Sequence, residues 1–599
     1  MTQTLIPAIV IVGGLLFFQA VYEYEKKKIK ERNKRREEEI NFDSLLQLVK
    51  EELYQETKKY LEYKEQSEEY ERAKSRCNHL KNSLKECGYG SRSDKTYVIE
   101  VIKDIIRQLL PEKERLYSIV PYSREDDLSV EDKFDILLYF YEQQYQENGL
   151  EEFILKYKLD LPKRMIENGE TLSYIITAEE IHHIYQKEAI SLSAEEEYLL
   201  LAHKVYRYFK GYGVIERLRE MAIDGVSGGV SGKIHVDVSN EFKHKMEHFF
   251  DPREKSQWQE ENFRNYDSVW IFFRGKPIHL SFLSFGSEKE IRRICQLIYR
   301  FNKAGQLSEN IGYKVNEMRD GSRVVVVRPP FSESWAFFVR KFHIKKLEIS
   351  QLFQGHHAQL LELWLKYLVK GGRIMAVTGS QGSGKTTLLM ALIRHIYGTL
   401  TLRIQEMAFE LHLRKVYPMR NILTFRETEF ISGQAGLDLQ KKTDGSVNIL
   451  GEVATDEVAA LMLQTAQVAS LFTLFTHHAK TTADLILSLR NSLLKCNIFR
   501  DEAVAEEQVT SVIQFDIHLG KDYLGNRFVE RITEVVPEEN GYRLQDILVY
   551  QNQAYHLKQL PSQKNLEAMQ QYMTDEDKEC FLQFLEECRE VMENADDYS

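Results

Sequence analysis

The hydrophobic and polar positions of this chain fall into six regimes. Leu5 to Val21 reads LIPAIVIVGGLLFFQAV, with Gln19 its one polar side chain. As a helix it would span about 25 Å, a little under the ~30 Å of a hydrocarbon core, and Thr4 and Tyr22 can extend it. Lys26, Lys27, Lys28, Lys30, Arg32, Lys34, Arg35 and Arg36 follow, with Glu31 among them. The pattern predicts a single-pass signal anchor over residues 1–22, with the bulk of the chain in the cytoplasm. MTQT carries no side-chain base and no A-x-A site follows, so a cleaved leader is not the expectation. A buried or interfacial helix is the alternative.

Residues 23–96 are dense in Glu, Lys, Arg, Tyr and Gln. Leu45, Leu46, Leu48, Val49, Leu53 and Leu61 give a partial helical stripe without sustained heptads, so the pattern predicts a charged helical segment. Over residues 97–225, VIEVIKDIIRQLL, DKFDILLYFYEQQ and AEEEYLLLAHKVYRYF place apolar residues three and four apart, which predicts a helical domain. The period then changes. KIHVDV, VWIFF, PIHLSFL and RVVVVRPP read as short strands around the helix KEIRRICQLIYRF, which predicts an α/β domain over residues 226–345. Residues 346–540 alternate strand and helix, so their sheet should be mostly parallel. Residues 541–599 read as an acidic helical tail.

Composition narrows the classes. The 599 residues hold 31 glycines and 11 prolines, which excludes collagen-like and Pro-rich chains. Acids exceed bases, 91 to 80, and the net charge of −11 disfavours a general nucleic-acid partner. Cys77, Cys87, Cys295, Cys496, Cys580 and Cys588 are scattered and form no C-x-x-C pair, which argues against a disulfide scaffold or a zinc ribbon.

The sharpest chemical signal is RIMAVTGSQGSGKTTLLMALIRHIY (residues 373–397). Gly379, Gly384, Lys385 and Thr386 fit G-x-x-x-x-G-K-[ST] between a strand and an amphipathic helix. Gly379, Ser380, Gln381, Gly382, Ser383, Gly384, Lys385, Thr386 and Thr387 would wrap phosphate oxygens with backbone N–H groups, aided by the helix dipole. Lys385 would reach the β and γ phosphates of ATP, and Thr386 would ligate Mg²⁺. Hydrolysis also needs carboxylates. Glu452 closes the apolar strand in SVNILGEVATDE, and a carboxylate at that end faces the ligand crevice of a parallel sheet. Glu406 and Glu410 lie in RIQEMAFEL, where the next strand should end. His477 and His478 end the strand of LFTLFTHHAKT, and adjacent strand residues point oppositely, so one of the two is expected to serve.

These segments form an ordered series that resembles the type II/type IV secretion ATPase superfamily, with the tight-adherence (Tad/Flp) pilus-assembly ATPases as the nearest branch. GYGVIERL resembles GYGPLEPL, RDGSRVVVVRPP resembles P-DGSRVNAIIPP, FVRKF resembles IRKF, QEMAFEL resembles IEDAAEL, ILGEV resembles IVGEVR, and FTHHA resembles TIHA. The stretch FDIHLGKDYLGNRFVERITEV resembles the family's terminal hairpin. The resemblance covers about residues 205–535 and implies a RecA-like P-loop NTPase domain behind a smaller α/β N-terminal domain. It also implies catalytic roles for Lys385, Glu406, Glu452 and His478, a magnesium shell at Thr386 and, through water, Glu452, and triphosphate contacts from Arg323 and Arg340. The chain departs from the pattern at Met407, where the acidic-box aspartate falls, at Ala454, at Ser470, and in HAKTT for HANSP.

The resulting expectation is a homo-oligomeric, hexameric ATPase that drives the inner-membrane platform of a pilus-assembly machine. A motor of a type IV secretion or conjugation apparatus uses the same site. A nucleotide-binding, weakly catalytic scaffold is the reading of another class, favoured by Met407 and Ala454 and opposed by Glu406 and Glu452.

Overall fold

The structure, a computed structural model, describes residues 40–63, 67–166, 170–230, 265–303, 305–342, 348–353, 355–428, 431–522, 525–539 and 541–596. The Leu5–Val21 run, the basic run after it and the strand expected at KIHVDV lie outside these residues. Among the described residues no helix is long and apolar enough to cross a membrane. The chain divides into two compact units, one running to Phe273 and resuming as Pro277–Arg340, the other formed by Lys341–Ser599 with Arg274–Lys276.

In the first unit, helices α1 (Phe42–Glu56), α2 (Glu68–Glu86), α3 (Arg92–Leu109), α4 (Lys113–Tyr117), α5 (Val130–Tyr145) and α6 (Gly149–Lys156) precede a small hairpin, β1 (Lys163–Ile166) and β2 (Glu170–Ser173). Helices α7 (Ala178–Glu188) and α8 (Ala194–Phe209) follow the short β3 (Ile175–Ile176). Both helices open with a complete capping box, Thr177 with Glu180 and Ser193 with Glu196, which satisfies amides the first turn would leave bare. The apolar stripe of α3 buries Val98, Ile99, Ile102, Ile105, Ile106 and Leu109.

A seven-stranded sheet completes the unit in the order β3-β6-β5-β4-β9-β8-β7, with β4 (Gly225–Gly228), β5 (Val269–Phe273), β6 (Lys276–Leu280), β7 (Tyr313–Glu317), β8 (Arg323–Val327) and β9 (Ala336–Arg340). Alternate residues of β5 and β8 are buried, as expected of a sheet covered on one face. Helix α9 (Glu288–Ile298), capped by Ser287, turns Ile291, Ile294, Cys295 and Ile298 inward. One continuous core runs from Leu45 through Ile102 and Phe134 to Val339. The segments that sequence pattern separates at 96 and 225 therefore share a core.

In the second unit, α10 (Ile349–Leu352) and α11 (Ala358–Lys370) lead to a nine-stranded sheet ordered β12-β11-β13-β14-β10-β15-β16-β17-β18. Its strands are β10 (Met375–Gly379), β11 (Leu402–Glu406), β12 (Ile422–Arg426), β13 (Val447–Leu450), β14 (Phe472–His477), β15 (Phe515–Lys521), β16 (Arg527–Glu538), β17 (Gly541–Gln551) and β18 (Ala554–Leu557). Pairings from β12 to β15 are parallel and those from β15 to β18 antiparallel, so the sheet is mixed. Strands β10, β11 and β13 are buried along their whole length, the signature of a parallel sheet covered on both faces. The covering helices include α12 (Lys385–Ile393), α13 (Leu413–Val416), α14 (Gly433–Gln440), α15 (Asp456–Val468), α16 (Thr482–Lys495) and α17 (Glu502–Val512).

The sheet continues past residue 540 into β17 and β18. Beyond them α18 (Gln563–Tyr572) and α19 (Asp575–Asp596) send Met569, Phe581, Phe584 and Cys588 into the same core as the strands. The acids of α19 are outside and the apolar stripes of both helices inside, so composition alone reads as a tail. Trp364 on α11 is fully buried and meets the Phe584 ring edge-on at 5.1 Å. Trp364→Ala is expected to cost about 3–5 kcal/mol, read as a lowered urea midpoint at unchanged slope. A shift under about 1 kcal/mol would mean that α19 does not pack there in solution.

Candidate nucleotide site

Strand β10 ends at Gly379 and the chain turns tightly through Ser380–Gly384 into α12. The backbone requires glycine at two of these points. Gly379 has φ +137°, and a Cβ there would lie 2.4 Å from the carbonyl oxygen of Leu519 on β15. Gly384, the residue before the helix, has φ +99°. The turn leaves the first-turn amides of α12, which have no partner within the helix, facing the loop. The buried Ser383 Oγ has no hydrogen-bond partner among the described residues. A glycine turn, a helix start and an orphaned hydroxyl together fit a phosphate group.

Lys385 begins α12 and is buried. Its ammonium donates to the carbonyl oxygens of Gly379 at 3.0 Å and Ser380 at 2.9 Å, and to His478 Nδ1 at 3.2 Å. His478 Nε2 in turn lies 3.2 Å from Glu452 Oε1. An ammonium has only hydrogens to give, so Nδ1 accepts, and the hydrogen on Nε2 goes to the carboxylate. His478 thus links the lysine of the loop to Glu452. The structure brings these three residues together on adjacent strand ends, β10, β13 and β14.

His477 has the other orientation expected of its neighbour. It is mostly buried, with Nδ1 2.9 Å from the Val453 carbonyl oxygen and Nε2 3.0 Å from Ser488 Oγ. Burial holds it below the usual histidine value, and its contacts pin β14 to the segment after β13.

Glu406, the last residue of β11, is 4% exposed. Its Oε1 accepts from the amides of Glu410 at 2.9 Å and Leu411 at 2.8 Å, while Oε2 is buried with no partner among the described residues. A Cβ on Gly451 would lie 3.1 Å from Glu406 Cγ, so this carboxyl adjoins the residue before Glu452. Burial pushes its pKa from 4.5 up to about 7, against the pull of the two amides.

That shift makes stability depend on pH. The protonated carboxyl is favoured in the fold, so its contribution is full below pH 4.5 and is lost as pH rises through about 7. Glu406→Gln keeps an oxygen for the two amides and puts an NH₂ where Oε2 has no partner. The variant is expected to match the parent at pH 4.5 and exceed it by about 3 kcal/mol at pH 8.5, measured by chemical denaturation at both pH values. An equal difference at both would show that Glu406 is not buried as a titrating acid.

Two features of the site escape sequence reasoning. Asp516 on β15 is fully buried beneath the loop. It accepts from Thr378 Oγ1 on β10 at 2.6 Å and from Thr482 Oγ1, in the first turn of α16, at 2.7 Å. Thr378 has one hydroxyl hydrogen, and Asp516 takes it. The 2.9 Å contact of His518 Nδ1 with Thr378 Oγ1 is therefore donated by the imidazole. Burial pushes Asp516 up to about 6 while the two hydroxyls hold it down. This network ties the strand under the loop to the helix that follows His478. The second feature is Arg527, first residue of β16. A Cβ on Gly384 would lie 3.3 Å from its Cδ and 3.9 Å from Nη1, so a further cation flanks the start of α12. Both residues lie within the stretch FDIHLGKDYLGNRFVERITEV, whose likeness to a hairpin was the available signal.

Arg323 and Arg340 belong to the first unit, where they face each other across β8 and β9 as register partners. Met407 is exposed.

Residues 314–501 match the family described as Type II/IV secretion system protein. The match takes in the glycine loop, Glu406, Glu452 and His478. It covers less than half of the chain. No curated protein matches. Solved structures that are similar in part include three ATPases or motors. The VirB11 ATPase of the Brucella suis type IV secretion system is 17% identical over 45% of this chain and 86% of its own, with a TM-score of 0.27. The Legionella pneumophila ATPase DotB is 16% identical over 48% and 75%, with a TM-score of 0.33. The pilus retraction motor PilT, solved with ADP, is 16% identical over 55% and 84%, also at 0.33. At such scores these three carry no argument about activity.

Proposed function

We propose that this protein is an ATP-hydrolysing motor subunit of the type II/IV secretion class, working at the cytoplasmic face of a membrane. The observation that carries the reading is the Lys385–His478–Glu452 chain at the rim of a glycine loop. The family match over residues 314–501 supports it.

In this reading the loop amides, Lys385 and Arg527 hold the triphosphate. Thr386 and, through water, Glu452 would hold Mg²⁺, which would supply neutralising charge to the phosphates. His478 keeps Glu452 oriented and couples its position to that of Lys385. Glu406, with its pKa near 7, is suited to take a proton from the attacking water. Arg323 and Arg340 would add cationic stabilisation as in an arginine finger. The finer assignment is a homo-hexamer of the Tad/Flp pilus-assembly type that moves an inner-membrane platform protein. A motor for type IV secretion or conjugation would use the same site, and the two separate on which platform protein co-purifies.

A second reading has one observation behind it. Met407 stands exposed where the resembling family carries an aspartate, and Ala454 where it carries an arginine. Loss of both would suit a scaffold subunit that binds ATP and turns it over slowly. Magnesium-dependent ATP hydrolysis by the full-length protein in membranes decides between them. Steady turnover sustains the motor, whereas saturable ATP binding with no turnover above the Lys385→Ala background leaves the scaffold.

A further inference from the structure

A second cluster of cations lies in the first unit. The end of α2 contributes Lys85, the turn after it Tyr89, and the end of α8 Phe209 and Lys210. Helix α9 contributes Arg293, with Arg300 just beyond it. Together they line a cavity of about 360 Å³ that has no carboxylate among its described walls. Lys50 on α1 comes in from the side, its ammonium 5.7 Å from the centre of the Phe209 ring, with that of Lys210 at 5.0 Å.

One of these cations is committed to the fold. Arg293 pairs with Glu290 at 2.7 Å and donates to the carbonyl oxygens of Arg207 at 3.2 Å and Gly211 at 2.9 Å, which makes it a fixed wall. Lys85, Lys210 and Arg300 have no carboxylate partner among the described residues. Lys50 is held below its ordinary value by burial first and then by Arg293 and Lys289, against Glu290 and Asp43. Cations at the ends of α2 and α8 suit the helix dipoles, which accounts for one charge at each end. It does not account for Lys85, Lys210 and Arg300 meeting in one cavity whose described walls hold no carboxylate, in a chain whose net charge is −11. Like charges around one cavity repel, and a bound anion would reverse the sign of that interaction.

The cavity has the size of a small-ligand site and adds two aromatic faces to its cations. We infer that the cavity between α2, α8 and α9 is a second anion site, which binds a small organic phosphate, either a free nucleotide-like molecule or a phospholipid headgroup. Its occupant would bridge the helical part of the unit and the helix beneath the sheet. The inference does not depend on the reading of the glycine loop, and its test is run with that loop disabled.

Binding is measured on the full-length Lys385→Ala protein with three probes: inorganic pyrophosphate, ATP, and phosphatidylcholine vesicles with and without phosphatidylglycerol. The same protein is then tested with Lys210→Gln and Arg300→Gln together, and separately with Lys85→Gln, with the thermal midpoint checked for each. Saturable binding of a free phosphate that falls with salt and weakens about tenfold or more in the double variant is the expected result. Binding of anionic vesicles alone, lost in the double variant, assigns the phosphate to a headgroup. The inference is overturned if no probe binds saturably, or if the double variant binds as well as its parent. Should the double variant fail to fold, unchanged binding by Lys85→Gln overturns it equally.

Discussion

Lys385→Ala is expected to lower ATP turnover by about two to three orders of magnitude and to weaken ATP binding. The side chain is the one cation buried within the glycine loop, held there by two of the loop's own carbonyls and by His478. Those partners fix the ammonium before any substrate arrives, so little conformational entropy remains to be lost when phosphate binds. Alanine removes the charge and also leaves the Gly379 and Ser380 carbonyls without that donor. Steady-state hydrolysis and equilibrium ATP binding, measured on parent and variant, give the two numbers. Turnover within tenfold of the parent would sink the proposed phosphate site.

Glu452→Gln is expected to separate the two quantities. Its carboxylate is 40% exposed and contacts His478, so its loss should leave the fold and the phosphate loop in place. Turnover should drop about a hundredfold or more while ATP affinity changes by less than about threefold, because a charge used in the chemical step is lost but the loop amides are not. Glutamine can still accept from His478 Nε2, so a large effect cannot be assigned to a freed imidazole. An equal loss in binding and turnover would instead make Glu452 part of the substrate cradle. No loss in either would take the metal-shell role away from Glu452 and leave Glu406 as the carboxylate to test.

The parts of this site that were legible share a property: their chemistry is written locally. The glycines, Lys385 and Thr386 lie within eight residues of one another, and the loop follows from backbone requirements that glycine alone meets. Glu452 and His478 were legible because apolar strands end beside them, and alternation along β14 explains why one histidine faces the lysine while His477 is tied to Val453 and Ser488. Asp516 and Arg527 were not legible. Their importance comes from β15 lying against β10 and β16 against β15, and the hairpin likeness of their stretch does not reveal which strand it joins. The same holds for the first unit's core. The stripes on α1, α3 and α5 were visible, but which stripe faces which is decided by packing. The strands β17 and β18 were hidden because β17 breaks the apolar alternation, burying Gln545 and exposing Leu544, and β18 is only four residues long.

The central position of β10 also bears on how the chain is made. The strand that ends in the phosphate loop is synthesised before either of its neighbours, since Met375 pairs with Leu474 on one side and Phe515 on the other. Closing such long loops costs entropy before any pairing repays it, which slows folding. Through that interval an apolar strand waits on the ribosome with both hydrogen-bonding edges bare, open to the wrong partner or to another nascent chain. The grip on phosphate is thus assembled late, and a cell that makes this protein in quantity has reason to shelter its middle third until the later strands arrive.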